Sequence, residues 1–513
     1  MEEVLGWING IVWSKALIAL CLGAGLWFSF RTRFMQVRGF VEMTRLTFSG
    51  EKSDAGVSSF QALALSMSGR IGIGNIAGVA TAIAFGGPGA VFWMWVMGFL
   101  GASTSFVECC LAQIYKEKDN EGRYRGGPAY YIEKGLGLKW YALAFALATI
   151  AAAGVLMPGV QANAIADGIA NACQGGALCG PLDGQVMGLP ARDALKLGIG
   201  IAVALLLAAI IFGGIKRIAA FAEFVVPFMA IGYILTAVVV MVLNYDYLPD
   251  MFRLIFSSAF GMHAGFGAML GLAVEWGVKR GVYANEAGQG TGPHAAAAAE
   301  VSHPAKQGYV QAFAIYFDTM LVCTSTAFLV LSTGMYNTFR VVRESGKETL
   351  EAIVTGVPGL QPSDGAQYTQ AAVESVLPGW GAGFVALALF FFAFTTIMAY
   401  YYMAETNLTY IAGTRRTHPL ATLLLRLGII GMVVFGAFHN AKMAWALGDI
   451  GVGLMAWLNV IAIFILQKPA MLALRDYERQ KKLGLDPVFD PDAVGIRNAN
   501  YWVERRREAA RGE

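Results

Sequence analysis

A polar, glycine-rich segment, Ser66–Gly78, interrupts an otherwise apolar stretch of the chain. It holds four glycines together with Arg70 and Asn75. Glycine lowers the cost of leaving helical geometry, and backbone groups freed at membrane depth must find partners. Freed N–H groups can bind a substrate carboxylate, and freed carbonyl oxygens can bind a small cation such as Na⁺. The segment therefore predicts a binding site, with close helix packing through glycine as the alternative.

Three further features could contribute to the same chemistry. Gly261–Gly271 is a second glycine-rich segment in an apolar stretch. Thr395 and Thr396 could give hydroxyl oxygens to a cation, or could bond carbonyls of their own helix. Gln161 could present its amide to a substrate, or could cap a helix beside Pro158.

The composition places these segments in a membrane. Hydrophobic residues make up 56% of the 513 residues and charged residues only 14%, which excludes soluble, disordered and disulfide-scaffold classes. The net charge of +3 gives no reason to expect a nucleic-acid partner. Eleven stretches are long enough to span a bilayer: 11–30, 58–85, 90–114, 140–160, 197–212, 218–243, 254–278, 309–331, 383–406, 420–438 and 441–466.

The basic residues predict the direction of these spans. Most Lys and Arg residues fall in alternate loops and in the tail after residue 466, so the positive-inside rule puts the N-terminus outside and the C-terminus in the cytoplasm. The first span has acidic residues before it and no small-residue cleavage site, so we interpret it as a retained helix. The prediction is a multi-pass protein of the cell (inner) membrane, with the lipid bilayer as a partner.

The two glycine-rich segments occupy matching positions in two halves. Without the first span, ten spans form two sets of five, and an odd number inverts the second set. Interrupted helices in corresponding places mark the binding site of inverted-repeat transporters. The expected divisions are an extra helix and loop (1–57), a first repeat (58–243), a second repeat (244–466) and a basic tail (467–513).

Charged residues inside spans are functional candidates. Arg70 could bind a substrate carboxylate, but we favour an ion pair with an acid such as Glu405. Lys279 and Arg280 are interpreted as headgroup-level residues in a cytoplasmic segment, 279–308. Coupling to protons through Glu108, Asp318 or Glu405 is an alternative to coupling to Na⁺.

Other classes of protein fit the sequence poorly. The five histidines are scattered and no nucleophile with a base is evident, so an enzyme is not expected. No continuous polar lining of the kind a channel needs is evident. Cys173 and Cys179 lie in an outward loop, where a disulfide is plausible.

Three motifs resemble those of the alanine/glycine:cation symporter (sodium:alanine symporter) family. They are Gly86–Trp95, Gly74–Ile83 and the Arg280–Gly288 segment with its Asn-Glu-Ala-Gly end. The resemblance implies an all-α integral membrane protein with a LeuT-type (APC superfamily) 5+5 inverted repeat, one extra N-terminal helix and 11 transmembrane helices. It also implies Na⁺-driven import of small neutral amino acids, mainly alanine and glycine.

The resemblance also implies the residues of two sites. Many members have tryptophan at the position of Tyr400. A smaller aromatic ring near the pocket could admit a larger side chain, so a larger neutral amino acid such as glutamine or serine is an alternative substrate. The expected amino-acid site comprises Gly72, Gly74, Asn75, Gln161, Phe266, Thr396 and Tyr400. The expected sodium site comprises the carbonyls of Ser68, Ile71 and Phe392 with the hydroxyls of Thr395 and Thr396.

Overall fold

The computed structural model describes most of the chain and is built mainly of helices. The described residues are 2–48, 57–174, 182, 184–186, 188–263, 266, 269–344, 347–414 and 418–511. An all-α membrane protein was expected, and the helical content and apolar helix lengths agree with it.

Twenty-three α-helices occur in the described residues. They are α1 (Glu2–Val12), α2 (Lys15–Arg31), α3 (Met35–Arg38), α4 (Phe40–Phe48), α5 (Ser59–Arg70), α6 (Val79–Gly86), α7 (Gly89–Ile114), α8 (Pro128–Tyr131), α9 (Lys139–Ala151), α10 (Met157–Gln174), α11 (Ala191–Ile211), α12 (Gly214–Leu243), α13 (Leu248–Ala259), α14 (Leu270–Asn285), α15 (Gly292–Ala298), α16 (Pro304–Ile315), α17 (Thr324–Ser332), α18 (Gly365–Val376), α19 (Gly381–Ala412), α20 (Pro419–Phe438), α21 (Ala441–Ile465), α22 (Gln467–Lys482) and α23 (Asn500–Arg511).

Short π-helical and 3₁₀ turns and three small hairpins complete the described elements. The π-helical turns are Gly74–Gly78, Ile132–Leu136, Ala152–Leu156 and Tyr316–Cys323, and Tyr245–Tyr247 is a 3₁₀ turn. The antiparallel pairs are β1 (Glu117–Lys118) with β2 (Tyr124–Arg125), β3 (Gln185–Val186) with β4 (Leu189–Pro190), and β5 (Asn337–Glu344) with β6 (Lys347–Thr355).

Nine helical segments of the described residues are long and apolar enough to cross a membrane. Nine of the eleven predicted spans correspond to them. The other two predictions, 58–85 and 254–278, are the ones that contain the glycine-rich segments. The nine segments are Val4–Arg31, Gly89–Ile114, Lys139–Gln174, Ala191–Ile211, Gly214–Leu243, Pro304–Ser332, Gly381–Ala412, Pro419–Phe438 and Ala441–Ile465.

The first predicted interruption is present. Helix α5 ends at Arg70, a π-helical turn begins at Gly74, and α6 follows from Val79. The chain between Arg70 and Gly74 is buried. Non-helical backbone is thus placed inside the protein, where its polar groups can be partnered.

The prediction of a single span over 254–278 is wrong. Helix α13 ends at Ala259 and α14 begins at Leu270. Gly261–Gly271 covers the connection between them and the first residues of α14, and residues 264, 265, 267 and 268 lie outside the described residues. The buried interruption of the second half is instead Glu286–Thr291, between α14 and α15.

The α14–α15 segment runs along α7 and is not a cytoplasmic loop. Close to the start of α7, the Cβ position of Gly277 is 2.6 Å from the Ala90 carbonyl oxygen. Near the far end, Gln113 Nε2 donates to the Ala299 carbonyl at 2.9 Å. The segment therefore follows most of α7, and the basic residues that suggested a loop are buried within it.

The basic tail predicted for residues 467–513 is folded against the rest of the protein. Trp502 is buried and donates its indole N–H to the Gln113 carbonyl at 2.8 Å. The ammonium of Lys116 lies 4.2 Å from the centroid of Tyr124 and 4.7 Å from that of Tyr501. Cation–π contacts of this kind stabilise a desolvated ammonium. They fix α23 against the end of α7 and the β1–β2 hairpin.

The connection 340–378, for which the sequence suggests no role, covers the first interrupted helix. The backbone of Gly365, at the start of α18, approaches Ala77 so closely that a Cβ would lie 2.1 Å from the Ala77 carbonyl oxygen. Cys173, in the last turn of α10, takes part in a disulfide bond. Its expected partner, Cys179, lies outside the described residues.

Close packing between α10 and α20 depends on two facing glycines. A Cβ on Gly436 would lie 2.3 Å from the Cα of Gly159. Small residues permit such approach of helix backbones in membranes. This contact positions α10, which carries Gln161.

We expect Gly436→Ala to lower the free energy of unfolding by about 1–3 kcal/mol, because α10 and α20 must separate to admit the methyl group. Unfolding in detergent, followed by circular dichroism, measures the change. Gly431→Ala on the same helix is the matched control, since nothing lies within 4 Å of its Cβ position. Equal losses in the two variants would contradict the packing argument.

Candidate functional site

The two interrupted helices lie side by side and run in opposite directions. Near the ends of the pair, a Cβ on Gly86 would lie 3.0 Å from the Leu272 carbonyl oxygen, and Val57 N donates to the Ala298 carbonyl at 3.2 Å. In the middle, the Cβ position of Gly74 is 3.2 Å from Ala284 Cα. The interruptions in the two helices therefore lie next to each other inside the protein.

Two backbone N–H groups freed at the first interruption are bound by side-chain oxygens. Gly72 N donates to Asn75 Oδ1 at 3.0 Å and is shared with the Arg70 carbonyl at 2.9 Å, and Ile73 N donates to Gln161 Oε1 at 3.3 Å. These are N–H groups to which the sequence assigned a substrate carboxylate. Two amide oxygens thus occupy the positions at which carboxylate oxygens would accept the same hydrogen bonds.

Each of these amides is held in turn by a second polar group. Asn75 Nδ2 donates to Asp318 Oδ1 at 2.5 Å, and Thr319 Oγ1 donates to Asp318 Oδ2 at 3.0 Å. Gln161 Nε2 donates to the Tyr400 hydroxyl at 3.4 Å. The amide orientations follow from these contacts, because the nitrogen of each side chain faces an acceptor. The structure thus brings Asn75, Gln161 and Tyr400 together around the first interruption.

The expected sodium ligands are partly assembled. Thr396 Oγ1 lies 2.8 Å from the carbonyl oxygens of both Ser68 and Phe392. Thr395 Oγ1 lies 3.0 Å from the carbonyl of Phe392, on its own helix. Ile71 is buried at the end of α5, three residues beyond Ser68. Oxygen atoms from α5 and α19 therefore converge where the first helix ends, as a small hard cation requires.

Gly72 leaves little space between these two groups of residues. Its Cβ position is 2.7 Å from Thr396 Oγ1 and 3.3 Å from Gln161 Oε1. Glycine is needed here because a methyl group would overlap the Thr396 hydroxyl. The predicted amino-acid and cation residues thus meet on one face of the first interruption.

Phe266 is the predicted site residue that is not brought together with the others. It is buried, and its ring packs against Gly87, at 3.3 Å from the Cβ position of that glycine. Gly87 follows the last residue of α6, at the opposite end of that helix from Asn75. The family resemblance alone had suggested Phe266.

The second interruption is partnered by two side chains from other helices. Gly288 N donates to Glu108 Oε1 at 3.2 Å, and Asn459 Nδ2 donates to the Gly288 carbonyl at 2.9 Å. Asn459 Nδ2 also donates to Glu108 Oε2 at 2.8 Å. Glu108, which the sequence marks as a possible proton site, therefore serves the exposed backbone of this interruption.

Arg70 does not pair with Glu405, and that prediction is wrong. Arg70 Nη1 donates to Gln311 Oε1 at 3.0 Å and Nη2 donates to Ser105 Oγ at 3.1 Å. Glu405 instead pairs with Arg125, at 3.4 Å between Oε2 and Nη1. Arg125 lies in β2, and its partner lies in α19, about two helix turns before that helix ends.

Lys279 and Arg280 are not headgroup-level residues. Both are buried in α14, and both pair with Asp449 of α21, at 2.7 and 2.8 Å. The Arg280 guanidinium also lies 4.3 Å from the centroid of Trp445. Asp449 is a buried residue that the sequence reasoning missed, although an acid inside a predicted span is a signal that could have found it.

The family comparison agrees with this architecture. The model of the sodium:alanine symporter family matches residues 1–491. The chain is 56% identical to the putative sodium/proton-dependent alanine carrier protein YrbD of Bacillus subtilis, over 98% of each chain. It is 51% identical to the sodium/proton-dependent alanine carrier protein of Bacillus sp. PS3, over 92% of this chain and 100% of the relative.

A third relative is named for a different substrate. The probable sodium/glutamine symporter GlnT of Bacillus subtilis is 40% identical, over 97% of this chain and 95% of the relative. The match of the family model over nearly the whole chain, together with relatives of this identity and coverage, shows that the chain belongs to the sodium:alanine symporter family.

Proposed function

We propose that this chain imports small neutral amino acids, mainly alanine and glycine, together with Na⁺ by alternating access. The observation that carries the proposal is the first interruption, where the Gly72 and Ile73 N–H groups are bound by two exchangeable side-chain oxygens. The names of the relatives support an alanine carrier. No enzymatic step is part of this proposal.

Substrate binding is an exchange of hydrogen-bond acceptors. The substrate carboxylate replaces Asn75 Oδ1 at Gly72 N and Gln161 Oε1 at Ile73 N. An ionised acceptor makes stronger hydrogen bonds than an amide, and a helix N-terminus favours negative charge. The displaced amides of Asn75 and Gln161 then become side-chain contacts of the substrate. Tyr400 lies beside Gln161, and Gly74 forms the wall of the site.

A small substrate fits the close approach at Gly72, because Thr396 and Gln161 crowd its Cβ position. Phe266 contributes to substrate binding only indirectly, at the C-terminal end of α6, where its ring packs on Gly87. A larger neutral amino acid such as glutamine or serine is the alternative, and the glutamine relative supports it. An uptake panel of radiolabelled neutral amino acids separates the two.

The sodium ion binds between α5 and α19. Its ligands are the carbonyl oxygens of Ser68, Ile71 and Phe392 with the hydroxyl oxygens of Thr395 and Thr396. The Thr396 hydroxyl already touches two of these carbonyls, and it turns its proton away when the ion enters. The ion then ties the end of α5 to α19 and shapes the adjoining amino-acid site.

The wider architecture belongs to the same proposal. The chain is a LeuT-type 5+5 inverted repeat with one extra N-terminal helix and 11 spans in the cell membrane. Its N-terminus lies outside and its C-terminus in the cytoplasm. The antiparallel pair of interrupted helices supports the inverted repeat, since each half contributes one of them.

Proton coupling is a second candidate because of one contact. Glu405 is paired with Arg125 and Glu108 serves Gly288, whereas Asp318 is bonded to Asn75. A proton on Asp318 would alter the group that orients a substrate-binding amide. Uptake driven by an inward proton gradient in the absence of Na⁺, and abolished by Asp318→Asn, would identify the proton as the coupling ion in place of Na⁺.

We expect Thr396→Val to reduce Na⁺-dependent alanine uptake into proteoliposomes at least tenfold, because valine keeps the shape but removes a cation-binding oxygen. Thr409→Val on the same helix is the control, since its hydroxyl bonds the Glu405 carbonyl of its own helix at 2.8 Å. Normal Na⁺ dependence of Thr396→Val would contradict the sodium site.

We expect Asn75→Ala to raise the dissociation constant for alanine at least tenfold while ²²Na⁺ binding is retained. The variant leaves Gly72 N without its amide acceptor and removes a substrate contact. Scintillation proximity binding measures both ligands. Asn163→Ala, which removes a buried amide that bonds α20 carbonyls instead, should keep the alanine affinity; equal losses would refute the role of Asn75.

A further inference from the structure

Glu286 is a buried carboxylate in an unusual backbone conformation. It follows the last residue of α14 and has φ +57°, in the left-handed region. Residues other than glycine adopt this region rarely, and strain of this kind collects at functional sites. The residue is 1% exposed, so the conformation is maintained within the protein interior.

The carboxylate of Glu286 faces the first interrupted helix. Its Oε2 lies 3.2 Å from the Cβ position of Gly69. The Thr291 side chain interacts with this carboxylate, but among the described residues Oε2 has no hydrogen bond of ordinary geometry. A buried carboxylate oxygen without a full hydrogen bond is unfavourable, and each such group in a native structure requires an explanation. A ligand that donates hydrogen bonds or carries positive charge would supply the missing partner.

Neighbouring charged groups are already engaged. Arg70 donates to Gln311 and Ser105, and its charge acts on Glu286 through space, without a hydrogen bond to Oε2. Glu108 accepts from Gly288 N and Asp318 accepts from Asn75. Glu286 is therefore the acid of this region whose carboxylate oxygen is left for a ligand.

The position of Glu286 relative to the freed N–H groups matches an amino acid. Gly69 and Gly72 are three residues apart and both face α19: Gly69 contacts Ala399 and Met403, and Gly72 contacts Thr396. Gly69 lies in the last turn of α5 and Gly72 lies two residues beyond the end of that helix. The shared contacts with α19 therefore place Glu286, which faces Gly69, on the same side of the first interruption as the Gly72 and Ile73 N–H groups, which are suited to a carboxylate.

We propose that Glu286 binds the α-ammonium group of the transported amino acid. This assignment rests on the proposed amino-acid site at Gly72 and Ile73. The backbone N–H groups bind the carboxylate of a zwitterion and the Glu286 carboxylate binds its ammonium, so the two ends of the site complement the two ends of the amino acid. Gly69 keeps the space in front of Glu286 open, because a side chain there would lie against Oε2.

The test compares two ligands that differ only in the group bound by Glu286. L-Alanine carries an ammonium where L-lactate carries a hydroxyl. Wild-type protein should bind alanine at least 100-fold more tightly than lactate. In Glu286→Gln, alanine affinity should fall at least tenfold while lactate affinity stays within about twofold, so that the preference shrinks. A residue with only a structural role would weaken both ligands alike.

Two further variants control for folding and charge. Glu275→Gln removes a half-buried acid from the same helix and should preserve the preference. Gly69→Ala keeps the charge but crowds Oε2, and should weaken alanine binding more than lactate binding. Binding of ²²Na⁺ is measured on every variant, and Glu286→Gln should retain it.

Each result decides between specific assignments. A Glu286→Gln protein that keeps the full preference for alanine overturns the ammonium contact while leaving the proposed function intact. Loss of ²²Na⁺ binding with an unchanged preference also overturns it, and assigns the carboxylate to the coupling ion. Wild-type protein that binds no alanine in the presence of Na⁺ refutes the proposed function itself, and the ammonium contact with it.

Discussion

Backbone hydrogen bonding at membrane depth is the constraint on which the centre of this molecule depends. A helix that is broken inside a bilayer leaves N–H and C=O groups that water cannot reach. At the first interruption Asn75 and Gln161 accept hydrogen bonds from the freed N–H groups. At the second, Glu108 accepts from the N–H of Gly288 and Asn459 donates to its carbonyl. These side chains come from different parts of the sequence, so the interruptions exist only in the assembled fold.

The first interruption could be predicted because its signal is local. Ser66–Gly78 contains four glycines, an asparagine and an arginine, and this composition is not typical of an apolar helix. The residues around it were found for the same reason, and the structure brings Ser68, Gly72, Asn75 and Thr396 together. The assignment of individual site roles remains a prediction.

The second interruption was misplaced because its signal depends on distant residues. In the sequence, Lys279 and Arg280 are typical of a loop. In the structure both are buried and pair with Asp449, about 170 residues later in the chain. Trp445 then covers the guanidinium of Arg280. Local hydropathy could not identify α14 as a buried helix, and the glycine-rich connection before it was therefore taken for the interruption. Phe266 was assigned to the site by the family resemblance alone, and its role remains a prediction.

On the proposed mechanism, the exchange of side-chain oxygens for substrate oxygens has a consequence for the transport cycle. Because Asn75 and Gln161 already occupy the hydrogen-bonding positions, the empty carrier has its central backbone satisfied without cargo. The empty carrier then returns to the outward-facing state without the free-energy cost of leaving those N–H groups without acceptors. A carrier built in this way can accumulate solute in net fashion, instead of being confined to one-for-one exchange across the membrane.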